Sequence, residues 1–322
     1  MAAVYIDRVL QASETIAVPP ASGRVALVGF NVGPHGELYF VSALGQLDYQ
    51  TRDNGFAIFP KPVPDSPQRY RVQCSRNGSL DLDVTISDEQ FNIHDVQPMG
   101  DELLLSCSRS LRRTEEDFDL NGRIYGRDGI FRRGILLGDG IETIQSTSGG
   151  QLWTSYFDEG VFGNFGWRDP VGASGLVAWN SAGEKLYEFD PPAGFGSMAD
   201  CYALNVAADD EVWCCYYTDF PLVRIQNRKA NSVWRSPVRG SHAFAVADGH
   251  VVFAGDYTNR NQLHLVKLFP DEKAKLVATF PLIDDRGESL SIERVVGRGS
   301  RLYALSGETV HVIDVNDVIA RR

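Results

Sequence analysis

No stretch of this 322-residue sequence approaches the roughly 18 to 20 consecutive apolar residues that a membrane-crossing helix needs. Positive charge is also short. Lys and Arg number 31 against 42 Asp and Glu, a net charge of −11, and binding a phosphate backbone takes clustered cations. Nucleic acid and membrane are therefore not expected partners. Cysteine is scarce: Cys74, Cys107, Cys201, Cys214 and Cys215 form an odd set with no C-x-x-C spacing. They read as buried free thiols of a reducing compartment, and the vicinal Cys214 and Cys215 should point to opposite faces of one strand. No apolar run follows a positive start between Met1 and Pro20, so no secretory leader is read there and a cytoplasmic location is expected. A Walker-type glycine loop and βαβ alternation are missing as well, which leaves a nucleotide-binding reading unsupported.

What the sequence does hold is β-forming material. Its 31 glycines, 12 tyrosines and 17 phenylalanines favour short strands joined by tight turns. One pattern recurs six times: an apolar strand, a short turn, and a second apolar strand. The pairs are Val25–Phe30 with Glu37–Val41, Ile93–Val96 with Glu102–Ser106, and Ile141–Ile144 with Gln151–Ser155. Tyr202–Val206 with Glu211–Cys215, His242–Val246 with His250–Ala254, and Ile292–Val296 with Arg301–Leu305 complete them. Outer hairpins follow most pairs, as in Tyr70–Cys74 with Leu80–Ile86 around an Asn-Gly turn, or Arg123–Tyr125 with Gly134–Leu137. The last unit, ending at Thr309–Val315, lacks a fourth strand, and the segment Tyr5–Val18 precedes the first complete unit. If that segment supplies the missing strand, no edge is left open. The expectation is an all-β, six-bladed β-propeller of four-stranded blades, closed by the N-terminal strand, with seven blades as the alternative count. It would form one domain over residues 1–322, with residues 1–18 closing and blades near 20–88, 89–137, 138–190, 198–236, 240–281 and 285–316.

On this blade pattern the chain resembles, over nearly its full length, the six-bladed propellers of the NHL-repeat and gluconolactonase-like (SMP-30-like) class. It has no series of Trp-Asp dipeptides and no series of kelch double glycines. The segment Ser155–Trp167 and the run from Cys201 through Pro221 are similar to those of bacterial propeller proteins with no assigned activity. The gluconolactonase-like class implies a divalent metal held by acidic and amide side chains at a central channel. Those ligands do not map onto this sequence residue by residue, so the activity is not carried over.

In a propeller the first strand of each blade lines the channel, and its leading residues open onto the face to which the loops after the second strands return. The residues entering the six first strands are Val28 or Gly29, His94, Glu142, Tyr202, His242 and Glu293. Imidazoles and carboxylates there would see water, one another or a cation, because unpaired charge is costly to bury. His94, Glu142, His242 and Glu293 are thus the candidate metal ligands or acid–base groups, a divalent metal ion being the candidate cofactor. A one-residue slip in register would turn these side chains between the blades instead.

The loops Leu44–Phe59, Arg109–Asn121, Asp158–Asp169, Tyr216–Pro221 and Asp256–Gln262 fall on the same face. They hold Arg109, Arg112, Arg113, Asp158, Glu159, Arg168, Tyr217, Asp219, Asp256 and Arg260; of these Asp158, Glu159, Arg168, Tyr217, Asp219, Asp256 and Arg260, with Tyr202, are the candidate substrate- or partner-binding residues. Arg168 and Arg260 have the chemistry to hold a carboxylate or phosphate through paired hydrogen bonds. Thr114–Asp119 reads as a polar, mobile loop tip, Gly138–Gly140 as a link between blades, and Trp153 and Trp213 as inter-blade core. Two functions fit. One is a monomeric binding protein that holds a small polar ligand or a protein partner on the channel-mouth face. The other is a metal-dependent hydrolase, lactonase or lyase acting on a small polar metabolite.

Overall fold

A computed structural model describes residue 12 and residues 14–18, 25–53, 57–283 and 287–321. Most of Tyr5–Val18 therefore lies outside the described residues, apart from residue 12 and residues 14–18. The chain is all-β, with six four-stranded antiparallel blades in the fold class of a β-propeller. It divides into two compact units: residues 19–189, and residues 190–322 joined by residues 1–18. Among the described residues, no helix is long and apolar enough to cross a membrane.

Strand β1 (Glu14–Ala17) comes first in sequence and finds its partner last. The unit of residues 19–189 then opens with β2 (Ala26–Val32) and β3 (Leu38–Ala43), followed by a two-stranded ribbon of β4 (Gln50–Asp53) and β5 (Ala57–Pro60). Strands β6 (Gln68–Arg76) and β7 (Ser79–Glu89) finish the first blade. Asn77 and Gly78 both have positive φ, 50° and 74°, between the paired Arg76 and Ser79. That is the two-residue turn whose twist matches the flanking strands. The second blade is β8 (Asp95–Met99), β9 (Glu102–Ser106), β10 (Gly122–Gly126) and β11 (Phe131–Ile135). β11 begins at Phe131 rather than at the expected Gly134, because Gly126 and Gly129 close a tight turn through Gly129 N to Gly126 O and Gly126 N to Ile130 O. The third blade is β12 (Ile141–Ser146), β13 (Leu152–Tyr156), β14 (Leu176–Trp179) and β15 (Lys185–Glu188), with the short helix α1 (Asp158–Phe162) in its long loop.

The other unit carries β16 (Asp200–Ala208), β17 (Glu211–Tyr217), β18 (Pro221–Gln226) and β19 (Lys229–Arg235) as its first blade. Next come β20 (Ala243–Ala247), β21 (His250–Ala254), β22 (Gln262–Leu268) and β23 (Ala274–Pro281). The last blade is β24 (Arg294–Arg298), β25 (Arg301–Ser306) and β26 (Thr309–Asp314), completed by β1, which pairs with β26 from Glu14 opposite Val312 to Ala17 opposite Thr309. The closing strand is thus found where the incomplete last unit calls for it. Helix α2 (Val315–Ala320) follows, its first turn capped by Asp314 accepting from Asn316 N.

The apolar runs of the second strands follow from their position. Leu103 and Leu105 of β9 join a core shared with the first blade, and Leu104 between them joins a core shared with the third. Likewise Val251 and Phe253 of β21 face the preceding blade, and Val252 and Ala254 the following one. Alternate side chains leave a strand on opposite faces, so a strand packed on both faces must be apolar throughout. Burying each such leucine or phenylalanine contributes about 1.5–3 kcal/mol.

The first strands carry polar residues for a different reason: they tie neighbouring blades together within each unit. Asn31 on β2 donates to Asp95 Oδ1 (2.7 Å) and to Ile144 O (2.8 Å), so one side chain bridges three blades. Gln97 donates to Val32 O and accepts from Ser146 N at 3.0 Å. In the other unit Asn205 donates to Phe244 O (2.9 Å) and Gly299 O (3.0 Å), and accepts from Gly299 N (2.8 Å). These buried amides satisfy backbone groups that would otherwise cost about 1–3 kcal/mol each.

Candidate functional site

In the unit of residues 19–189, the loop after β13 closes on the loop after β9. Gly140, at φ 71° in the β11–β12 link, and Gly160 of α1 let that link and the loop after β13 come together beside them. A Cβ on Gly160 would lie 2.6 Å from Asp139 O, and one on Gly140 would lie 2.3 Å from Gly160 N. Only glycine tolerates both the positive φ at Gly140 and the contact. Trp167 Nε1 donates to Ser110 O (2.7 Å), and Arg112 N donates to Phe165 O (2.8 Å), locking the two loops side by side.

This closure encloses Arg109. The guanidinium is buried and donates through Nε and Nη2 to the two oxygens of Asp139, each at 2.9 Å, and Ser110 N adds a third bond to Asp139 at 2.9 Å. Its remaining arm, Nη1, pairs with Glu159 on α1. Phe165 lies over the guanidinium at 4.2 Å and Phe157 at 5.3 Å. Burial is the largest influence on the Asp139 carboxyl and raises its pKa to about 6, with Arg109 acting in the opposite sense. Above this network lies a cleft of about 550 Å3, walled by Phe59, Phe157, Glu159, Asn164 and Phe165.

In the other unit, aromatic side chains gather at the mouth-side ends of β16, β17 and β20. Tyr202 stacks on His242 with centroids 4.9 Å apart and planes at 26°. It meets Phe220 edge-on at 5.0 Å, and its hydroxyl accepts from Tyr257 at 2.9 Å. Phe220, buried at φ 54°, also contacts Tyr217 and Tyr257. Tyr257 packs over Gly240, where a Cβ would lie 2.5 Å from its ring. The outer members stay open, Tyr257 at 61% exposure and Tyr217 at 45%.

The predicted site residues are distributed as follows. Asp158 and Glu159 sit on α1, with only Glu159 tied to Arg109. Arg168 is exposed, as are Asp219 and Arg260. Tyr202, His242 and Tyr217 belong to the aromatic patch. Asp256 is engaged internally: its Oδ1 accepts from Thr258 N and Asn259 N, both at 2.7 Å, and its Oδ2 lies 3.2 Å from His264 Nε2. Burial lowers the His264 pKa, with Asp256 acting in the opposite sense.

His94 is half-buried just before β8, its ring edge-on to Tyr49 at 5.1 Å. Ser108 N donates to its Nδ1 at 3.2 Å, which places the proton of the neutral ring on Nε2. Glu142 on β12 and His242 ahead of β20 are exposed. Glu293, also exposed, accepts from Gly307 N at 3.0 Å. Within either unit, among the described residues, no group of three or more His, Cys, Asp or Glu is placed to hold a metal ion. Gly29 lies inside β2 rather than at its start, packed so that a Cβ would lie 3.1 Å from His94 O.

Two features escape sequence reasoning. Asp139 looks like part of a Gly-Asp-Gly link, yet it is the main partner of Arg109; the two flanking glycines were the available signal. The Thr114–Asp119 tip, expected to be mobile, is fastened by Asp119, which is buried, accepts from Leu111 N at 2.9 Å and pairs with Arg113. All five cysteines are free and buried, as expected, and burial pushes the Cys74 thiol up to about 11 and Cys107 to about 12.

Comparison with known proteins adds the following. The model of the YxzG family matches residues 172–312. No curated protein matches the sequence. Among solved structures, a chain of the mitotic checkpoint complex aligns with 96% of this chain and 94% of its own, at 9% identity and a TM-score of 0.51. A catalytically inactive virginiamycin B lyase from Staphylococcus aureus with quinupristin covers 93% of this chain and 98% of its own, at 10% identity and a TM-score of 0.45. The WD40 β-propeller domain of Doa1 covers 94% and 95%, at 8% identity and a TM-score of 0.46. At such identities the likeness concerns the fold alone.

Proposed function

We propose that this chain is a binding protein, holding a small polar ligand or a protein partner on the face to which its long loops return. The observation that carries this reading is the patch of Tyr202, His242, Phe220, Tyr217 and Tyr257. Its inner rings are packed and hydrogen-bonded, so they are already rigid, while Tyr217 and Tyr257 offer apolar faces and hydroxyls to a partner. Tyrosines of this kind contribute disproportionately to binding because they bury large area at little entropic cost. Five buried thiols support a reducing, cytoplasmic setting within the same proposal.

The test is a partner or ligand captured on the wild-type chain and re-measured on a Tyr217→Ala, Tyr257→Ala double variant. The two side chains are 45% and 61% exposed, so thermal stability should fall only modestly while affinity falls by at least about tenfold, the scale of one hot-spot truncation. Undiminished binding by the double variant would remove the patch from the proposal.

The alternative proposal is a metal-dependent hydrolase, lactonase or lyase in which His94, Glu142, His242 and Glu293 hold the metal or move protons. It asks more of the residues: ligation through His94 Nε2 requires moving that proton to Nδ1 and giving up the bond from Ser108. Metal analysis of untagged protein decides. Stoichiometric metal that disappears in a His94→Ala, Glu142→Ala variant would favour this reading over the first. Metal-free protein whose melting ignores chelator would end it.

A further inference from the structure

A second cleft lies at the other ends of the strands from the aromatic patch, within the unit of residues 190–322. It has a volume of about 750 Å3, and its walls come from β17, β18 and β19 on one side and from the β20–β21 and β22–β23 turns on the other. That volume falls in the range of small-molecule sites, roughly 300–1,000 Å3. None of its lining residues belongs to the loop face discussed above.

The aromatic wall is prearranged. Trp213 and Trp234 stack with centroids 5.4 Å apart and planes at 18°. Each indole nitrogen is already engaged, Trp213 with Glu211 Oε1 at 2.8 Å and Trp234 with Phe269 O at 2.9 Å, so neither ring is free to turn. The far wall is fixed by Arg235 N donating to Glu272 O (3.0 Å) and Phe269 N to Lys273 O (2.8 Å). Polar capacity is left over: Arg224 Nε and His250 Nε2, on two lining residues, are buried with no hydrogen-bond partner among the described residues.

The lining charges choose the sign of the ligand. Glu211, Asp248, Asp271 and Glu272 set four carboxylates against the single guanidinium of Arg224, and Arg224 is itself paired with Glu211 at 2.5 Å. Asp248, Asp271 and Glu272 are exposed on the two turns that line the cleft, at positive φ of 47°, 63° and 61°. A flat face of indole beside a ring of carboxylates is the environment that attracts an organic cation. We propose that this cleft is a second binding site, for a small organic cation bearing a planar unsaturated group, seated against Trp234 among Asp248, Asp271 and Glu272.

Three isosteric probes test it: benzamidinium, neutral benzamide and benzoate, titrated at matched ionic strength into the full chain and followed by tryptophan fluorescence and calorimetry. Benzamidinium should bind saturably, and at least roughly fivefold more tightly than benzamide, the scale of one cation–π contact, with no saturable signal from benzoate. An Asp271→Asn, Glu272→Gln variant should weaken benzamidinium by a similar factor at unchanged melting temperature, and Trp234→Ala should abolish the response. The proposal is overturned if no probe saturates, or if benzoate or benzamide binds as tightly as benzamidinium. It is equally overturned if benzamidinium binds the Asp271→Asn, Glu272→Gln variant as well as the wild type; these turn residues are exposed, so that variant serves even where Trp234→Ala fails to fold.

Discussion

Removing the carboxylate of Asp139 should cost far more than removing that of Glu159, although both are bonded to the same arginine. Asp139 is 3% exposed and supplies both oxygens to a guanidinium whose own side chain is 6% exposed, plus a bond from Ser110 N. Asp139→Ala leaves Arg109 buried with only Glu159 for company, and a buried charge stripped of its partner costs about 3–5 kcal/mol. Glu159 still neutralises part of that charge, so the lower end, about 3 kcal/mol, is expected. The Glu159 side chain is 43% exposed, and Glu159→Gln removes a screened ion pair for about 1 kcal/mol or less. Urea unfolding at pH 7.5, read by tryptophan fluorescence, measures both as shifts in midpoint at constant slope. A further variant, Arg109→Met with Asp139→Leu, should recover much of the loss, since apolar side chains often replace a buried ion pair without penalty. The reasoning fails if Asp139→Ala costs no more than Glu159→Gln, or if the double variant is worse than Asp139→Ala alone.

Two further outcomes follow from the packing. Gly297→Ala should destabilise by about 2 kcal/mol or more, because its Cβ would meet the Phe244 carbonyl oxygen, a backbone atom that cannot step aside; a calorimetric melt unchanged from wild type would contradict that contact. His264 should make the chain acid-sensitive. Its pKa is lowered in the folded state by burial, so the unfolded chain takes the proton first. The stability this group confers is present above about pH 6.5, its ordinary value, and is lost as pH falls through the lowered one. In His264→Phe the stability–pH profile should be flatter over that window, and an unchanged profile would contradict the assignment.

The blades were legible in the sequence because their signal is local and repeated. Three consecutive leucines at Leu103–Leu105, bounded by turn residues, match a strand buried on both faces, and Asn77-Gly78 between alternating runs is a strong signal for a tight hairpin. The unfinished last unit pointed to the closing strand for the same reason. The Arg109–Asp139 pair was illegible because nothing local marks it: the partners stand 30 positions apart and meet only once two loops have closed. Asp256 reads as a free loop acid, yet its oxygens are taken up by the turn behind it and by His264. Trp213 does pack between blades as expected, but that its stack with Trp234 also walls a cleft depends on the β20–β21 and β22–β23 turns, which lie elsewhere in the chain.

The pairing of β1 with β26 has a consequence in time as well as in space. A ribosome delivers Glu14–Ala17 before Thr309–Val312, with β2 to β25 between them, so this strand must wait unpaired while those strands are made. A waiting edge is an invitation to pair with the wrong chain. The sequence limits that danger: the strand is only four residues long, it carries Glu14, and it is mostly exposed even when paired. A strand this short, charged and exposed offers little for another chain to pair with while it waits.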